Sequence, residues 1–119
     1  MMIDTEQDLV VRVLTGEIEI DEIIASLDNM TEHPGYHAGM KSLNDLREFV
    51  PTSSASNVRL MADYLLSNPL EQGVRAAVVV SRSVDYGMTR MLQALADSPA
   101  FSIGAFYDID EAKEWLGVR

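Results

Sequence analysis

Residues Val74 to Ser81 read VRAAVVVS, a continuous run of small and β-branched residues without a break. At six to eight residues it is too short for a typical helix, and its valines favour the pleated conformation. Such a run reads as a strand buried on both faces, as in the interior of a parallel sheet. It is bracketed by helical spacing. Upstream, Val58, Met61, Ala62 and Leu65 form an apolar stripe stopped by Asn68-Pro69. Downstream, Val84, Met88, Met91, Leu92 and Leu95 form another, ending at Ser98-Pro99. Proline ends both because it cannot continue a helix.

The same alternation extends to both ends of the chain. Leu9 to Leu14 (LVVRVL) reads as a strand closing at Thr15-Gly16. Ile20, Ile23, Ile24, Leu27 and Met30 then make one helical stripe, with Glu19, Asp21 and Glu22 in the first turn, where the helix dipole favours carboxylates. His33-Pro34-Gly35 ends that helix. Gly39 to Leu46 is a weaker strand, followed by a loop from Pro51 to Ser56 rich in helix N-caps. Phe101 to Tyr107 is the last strand. Asp108 to Glu111 resembles a capping box and opens a helix through Ala112, Trp115 and Leu116 to Gly117. Met1 to Asp4 adds a short edge strand turned by residues 5–8. The order βαβαβαβα predicts an α/β fold with a single-layer, mainly parallel β-sheet of four to five strands. Residues 1–119 read as one domain.

Composition excludes several functions. The sequence has 119 residues, 47% of them hydrophobic, which is enough to build a core. It has no cysteine, hence no disulfide and no thiolate chemistry. Nineteen acids against nine Lys and Arg give a net charge of −10, so neither nucleic acid nor an anionic membrane surface is an expected partner. No apolar run reaches the roughly 18 residues of a membrane span. Met1 to Asp8 lacks the charge and apolar core of a signal peptide, and a cytoplasmic protein is expected. Residues 1–37 hold nine of the acids and a single base, Arg12. That acidic segment is either a solvated face or a docking surface for a basic partner.

Motifs for catalysis or cofactors are missing from the sequence. There is no glycine-rich phosphate loop and no nucleophile elbow. Glu32, His33 and His37 flank Pro34-Gly35 and do not share a helix face, so no metal site is expected. Asp108, Asp110, Glu111 and Glu114 are explained by capping. Met61, Tyr64, Tyr86, Met88, Met91 and Trp115, together with Phe106 and Tyr107, fall on or near core faces. They read either as core or as the lining of a pocket for an apolar ligand. Thr52, Ser53, Ser54 and Ser56 precede a helix. One of them caps it, and a phosphate added there would be stabilised by the helix N-terminus.

Four segments together resemble the small bacterial STAS-like (SpoIIAA-like) proteins, a family grouped with the lipid-binding CRAL-TRIO fold. They are Leu9 to Gly16, His33 to Gly39 with Leu43 to Arg47, Tyr86 to Met91, and Phe106 to Leu116. The resemblance implies alternating strands and helices and no enzymatic activity or cofactor. It also implies a role as a regulatory interaction module, with a serine phosphorylated at the start of the helix after a strand ending in Asp-Leu. Aligning that motif on Asp45-Leu46 places Ser54 at the phosphoserine and Ser53 at the preceding aspartate, with Ala55 and Ser56 replacing the Ser-Gly that follows. The lipid-fold relatives imply an apolar small-molecule ligand as the alternative. A homodimer is expected through an apolar patch of the C-terminal half, including Ile103 and the Met88, Met91, Leu92 and Leu95 stripe. Like-charge repulsion disfavours contact through the acidic first 37 residues.

Overall fold

The computed structural model describes residues 1–51, 55–67, 74–96 and 101–119. Its elements are β1 (Met2–Asp4), β2 (Leu9–Ile18), α1 (Ile20–Glu32), β3 (Lys41–Pro51), α2 (Ala55–Ser67), β4 (Val74–Val79), α3 (Ser83–Ala96), β5 (Phe101–Phe106) and α4 (Ile109–Leu116). The strands form one sheet in the order β1-β2-β3-β4-β5. β1 runs antiparallel to β2, and the remaining neighbours are parallel. The valine-rich strand is internal, between β3 and β5, with Ala77 and Val79 fully buried.

Strand order equals chain order, so each crossover steps to the next strand in the same direction. Right-handed crossovers of that kind place their helices on a single face. Side chains alternate across a sheet, and the core divides accordingly. Val10, Ala76 and Ile103 pack towards α1, α2 and α3. Leu9, Leu43, Ala77 and Val79 pack on the opposite face against Ala112 and Leu116 of α4. An unreversed strand order has no topological switch point, so the usual crevice at strand ends is not built.

The ends of β2 and β3 depart from the sequence reading. Both run past the expected ends at Leu14 and Leu46 and stay paired out to Ile18 opposite Pro51. The register slips between Val13 opposite Asp45 and Thr15 opposite Glu48. A bulge of this kind absorbs one extra residue, and Gly16 continues the strand at a φ of +77°, where other residues are strained. Thr15-Gly16 is therefore an irregularity inside a strand, not the turn that ends it. β4 pairs with β3 only as far as Asp45, so β2 and β3 continue as a two-stranded ribbon.

Helix ends follow local chemistry. α1 stops at His33, whose backbone N–H donates to the Met30 carbonyl. α4 starts at Asp108, whose carboxylate accepts from the Asp110 N–H at 2.8 Å. It ends in a Schellman motif: Gly117 is left-handed at φ +74°, and the Gly117 and Val118 N–H groups donate to the Glu114 and Lys113 carbonyls. Of the four residues predicted to cap α2, Ser56 lies inside the helix, and Thr52, Ser53 and Ser54 lie outside the described residues. Among the described residues no helix is long and apolar enough to cross a membrane.

Candidate functional site

A cavity of about 190 Å³ lies between the sheet and helices α1, α2 and α3. Its floor is the helix-bearing face of the sheet: Arg12 and Leu14 of β2, Ser42, Asn44 and Leu46 of β3, Ala76 and Val78 of β4, and Ile103 of β5. Its roof is apolar, with Ile20, Ile23 and Leu27 from α1, Met61 and Leu65 from α2, and Met88 and Leu92 from α3. The space follows from the short side chains of Ser42 and Ala76 in the floor and from how α1 sits. Leu27 and Met30, in the C-terminal half of α1, are buried against Val10 and Met40. Ile20 and Ile23, in its N-terminal half, are only half-buried and face the cavity. Phe49, from the ribbon past the bulge, completes the wall.

One part of this wall is polar. Arg12 and Asn44 are direct cross-strand partners, 7% and 8% exposed. Arg12 donates from Nη1 to Asn44 Oδ1 at 3.0 Å and from Nη2 to Ser26 Oγ on α1. Ser26 in turn donates to the Ile23 carbonyl. The Asn44 amide nitrogen donates to Ser42 Oγ and to the Ala77 carbonyl, both at 3.1 Å. The network thus ties β2, β3, β4 and α1 together and fixes which way the amide points. Thr89, on the α3 side of the wall, donates to the Asp85 carbonyl. Among the described residues, the charged group lining the cavity is Arg12, and no carboxylate lines it.

The six residues predicted to line an apolar pocket do not come together. Met61 and Met88 line the cavity. Tyr64 packs beside it in the Val10 cluster and donates to Asp28 Oδ1 at 2.5 Å, linking α2 to α1. Tyr86 stacks on Tyr107 with ring centroids 4.6 Å apart. Met91 is half-buried on α3 but outside the lining. Trp115 lies on the opposite face of the sheet, against Phe106, with the Arg75 guanidinium 4.8 Å from its ring. Spacing along a helix identifies its apolar stripe but not the face of the sheet that the helix covers. Ser53 and Ser54, the predicted phospho-acceptors, lie outside the described residues.

Arg12, Ser42 and Asn44 were not singled out by sequence reasoning, yet a signal was present. In LVVRVL, Val10, Arg12 and Leu14 share one face of the strand, so an internal strand carries a cation towards its helices. Ser42, Asn44 and Leu46 repeat that phase one strand over.

Other polar groups are occupied elsewhere. His33 Nδ1 accepts from the Gly35 N–H. His37 Nδ1 meets the Ala38 carbonyl and its Nε2 pairs with Asp8. Both ring nitrogens thus face acceptors, and the Ala38 carbonyl, then Asp8, raises the His37 pKa above its usual 6.5. Arg47 grips Asp45 through Nε and Nη2 at 2.9 and 2.8 Å, and these bonds hold the Asp45 carboxyl below the ordinary range. Among the described residues no group of three or more His, Asp or Glu could hold a metal ion. Comparison with protein-family models, with curated proteins and with solved structures finds no match to this chain.

Proposed function

We propose that this chain is a cytoplasmic, non-enzymatic, STAS-like ligand-sensing domain that holds a small apolar molecule between its sheet and α1–α3, and that it self-associates. The observation that carries the reading is the cavity itself. It is an open pocket of about 190 Å³, walled mainly by Ile, Leu, Met, Val and Phe, and apolar concavities with a few polar groups are where small molecules bind. An apolar cavity of about 150 Å³ holds a benzene ring, so this one has room for roughly eight carbon atoms on the same scale. Its polar groups are a guanidinium, an amide and hydroxyls, none of which titrates near neutral pH. That inventory suits holding a ligand better than acid–base chemistry.

Filling the cavity tests this reading. Ala76 lines the floor, and Ala76→Leu adds three carbons to the space. Saturation-transfer NMR with 1-hexanol should detect binding to the wild type and a loss of at least tenfold in the variant. Absence of binding to the wild type, or equal binding to both proteins, overturns the reading.

A further inference from the structure

Resting on that cavity reading, we infer that the ligand is an uncharged molecule of about six to eight carbons with one carbonyl oxygen, which accepts a hydrogen bond from the Ser42 hydroxyl. Ser42 lines the floor and is 8% exposed. Its oxygen accepts from the Asn44 amide nitrogen at 3.1 Å, but among the described residues its own proton has no acceptor. The amide cannot turn to supply one. Its oxygen accepts from Arg12 Nη1 at 3.0 Å, and its nitrogen also donates to the Ala77 carbonyl at 3.1 Å. Nearly every buried donor in a folded protein is paired, and one left unpaired among apolar groups is costly. The open cavity is the side from which an acceptor can reach this hydroxyl. Thr89 does not offer the same chemistry, because its hydroxyl proton is given to the Asp85 carbonyl at 2.9 Å. A ketone, aldehyde or ester carbonyl matches a single neutral donor: it accepts, and it brings no proton of its own in need of a partner. One neutral donor does not offset the desolvation of an anion, so the ligand is uncharged. The chain attached to the carbonyl meets apolar surface at Met61, Leu65, Met88 and Leu92.

The test compares 2-hexanone with 2-methyl-1-hexene, which carries a methylene group in place of the ketone oxygen, by ¹H–¹⁵N NMR titration of the full chain at neutral pH. Both should bind the wild type. Ser42→Ala removes the donor and should weaken 2-hexanone about fivefold, the loss of one neutral hydrogen bond, while leaving the alkene within about twofold. Reading the ketone against the alkene in each protein cancels their different hydrophobicity and any change in the cavity's shape. Infrared spectroscopy of the wild type loaded with 2-hexanone reads the bond itself and keeps the test decisive if Ser42→Ala does not fold. The ketone stretch should lie below its frequency in hexane. A stretch at the hexane frequency, a Ser42→Ala variant that weakens both guests equally or neither, or a ketone that fails to bind where the alkene binds overturns the inference and leaves the cavity reading intact. Failure of both probes to bind overturns the inference together with the reading it rests on.

Discussion

Gly104 shows how one missing side chain sets a local arrangement. A Cβ at this position would stand 2.7 Å from Phe106 Cε2 and 3.3 Å from Trp115 Cη2. The two rings lean over the glycine with centroids 5.6 Å apart. Gly104→Ala must displace that pair and should cost about 1–3 kcal/mol, as overpacking does. Urea unfolding followed through Trp115, the one tryptophan in the sequence, reads both the loss and the ring's new surroundings. His37 gives a pH signature. With its folded pKa raised above 6.5, the imidazolium supports the fold below about pH 6.5. That support fades as pH rises through the higher folded value. A proton NMR titration should place His37 above 6.5, and Asp8→Asn should bring it down. An unmoved midpoint in that variant refutes the contribution of Asp8.

At the level of elements, existence and order were readable from the sequence, while strand ends and facing were not. Apolar spacing identifies α1 because Leu27 and Met30 had to be buried, and proline punctuation ends it at His33. The valine run identifies β4 for the same reason: a strand so apolar has no face to give to water. The extension of β2 and β3 was hidden because Gly16 carries the same local signal inside a strand as in a turn. The partner strand resolves that ambiguity, and partner strands are not written locally. The start of α4 was legible because its cap is a short-range bond. Asp108→Ala removes the acceptor of the Asp110 N–H and should destabilise the protein by about 0.5–2 kcal/mol. Thermal unfolding monitored by circular dichroism checks this, and Asp108→Asn, which keeps an acceptor, should lose less.

For the whole molecule, the cavity was the least legible feature. Met61 and Met88 reach it from different helices, and Arg12 and Asn44 meet only through strand register. The structure also redistributes the expected self-association patch. Ile103 is buried and Leu92 faces the cavity, so neither is available to a partner, whereas Val84 and Leu95 on α3 are exposed. β5 is a sheet edge whose sequence, FSIGAF, contains none of the charges or prolines that usually blunt edges. Two-fold pairing of β5 edges is the arrangement expected for a dimer, and it leaves the acidic first 37 residues out of the contact. Sedimentation equilibrium at about 150 mM salt should find a dimer at tens of micromolar. A single 13.2 kDa species would contradict it. Ser102→Pro at the edge, where proline blocks strand pairing, should shift the protein towards monomer.

The identity of strand order and chain order also bears on how the molecule assembles during synthesis. The parallel pairings join Leu9 to Lys41, Ser42 to Ala76 and Val74 to Phe101, so each closes a loop on the order of thirty residues, at a modest entropic cost. A chain leaving the ribosome can add one strand and one helix at a time to a sheet already begun, without waiting for a distant partner. The floor residues Arg12 and Asn44 emerge early, but Met88, Thr89 and Leu92 of α3 join the cavity wall only later, and Ile103 completes the floor last. Until then the walls that α3 and β5 contribute are missing. Under the proposed reading, ligand capture is a late event in the life of the nascent chain, and a ligand present at that moment would favour the final closure.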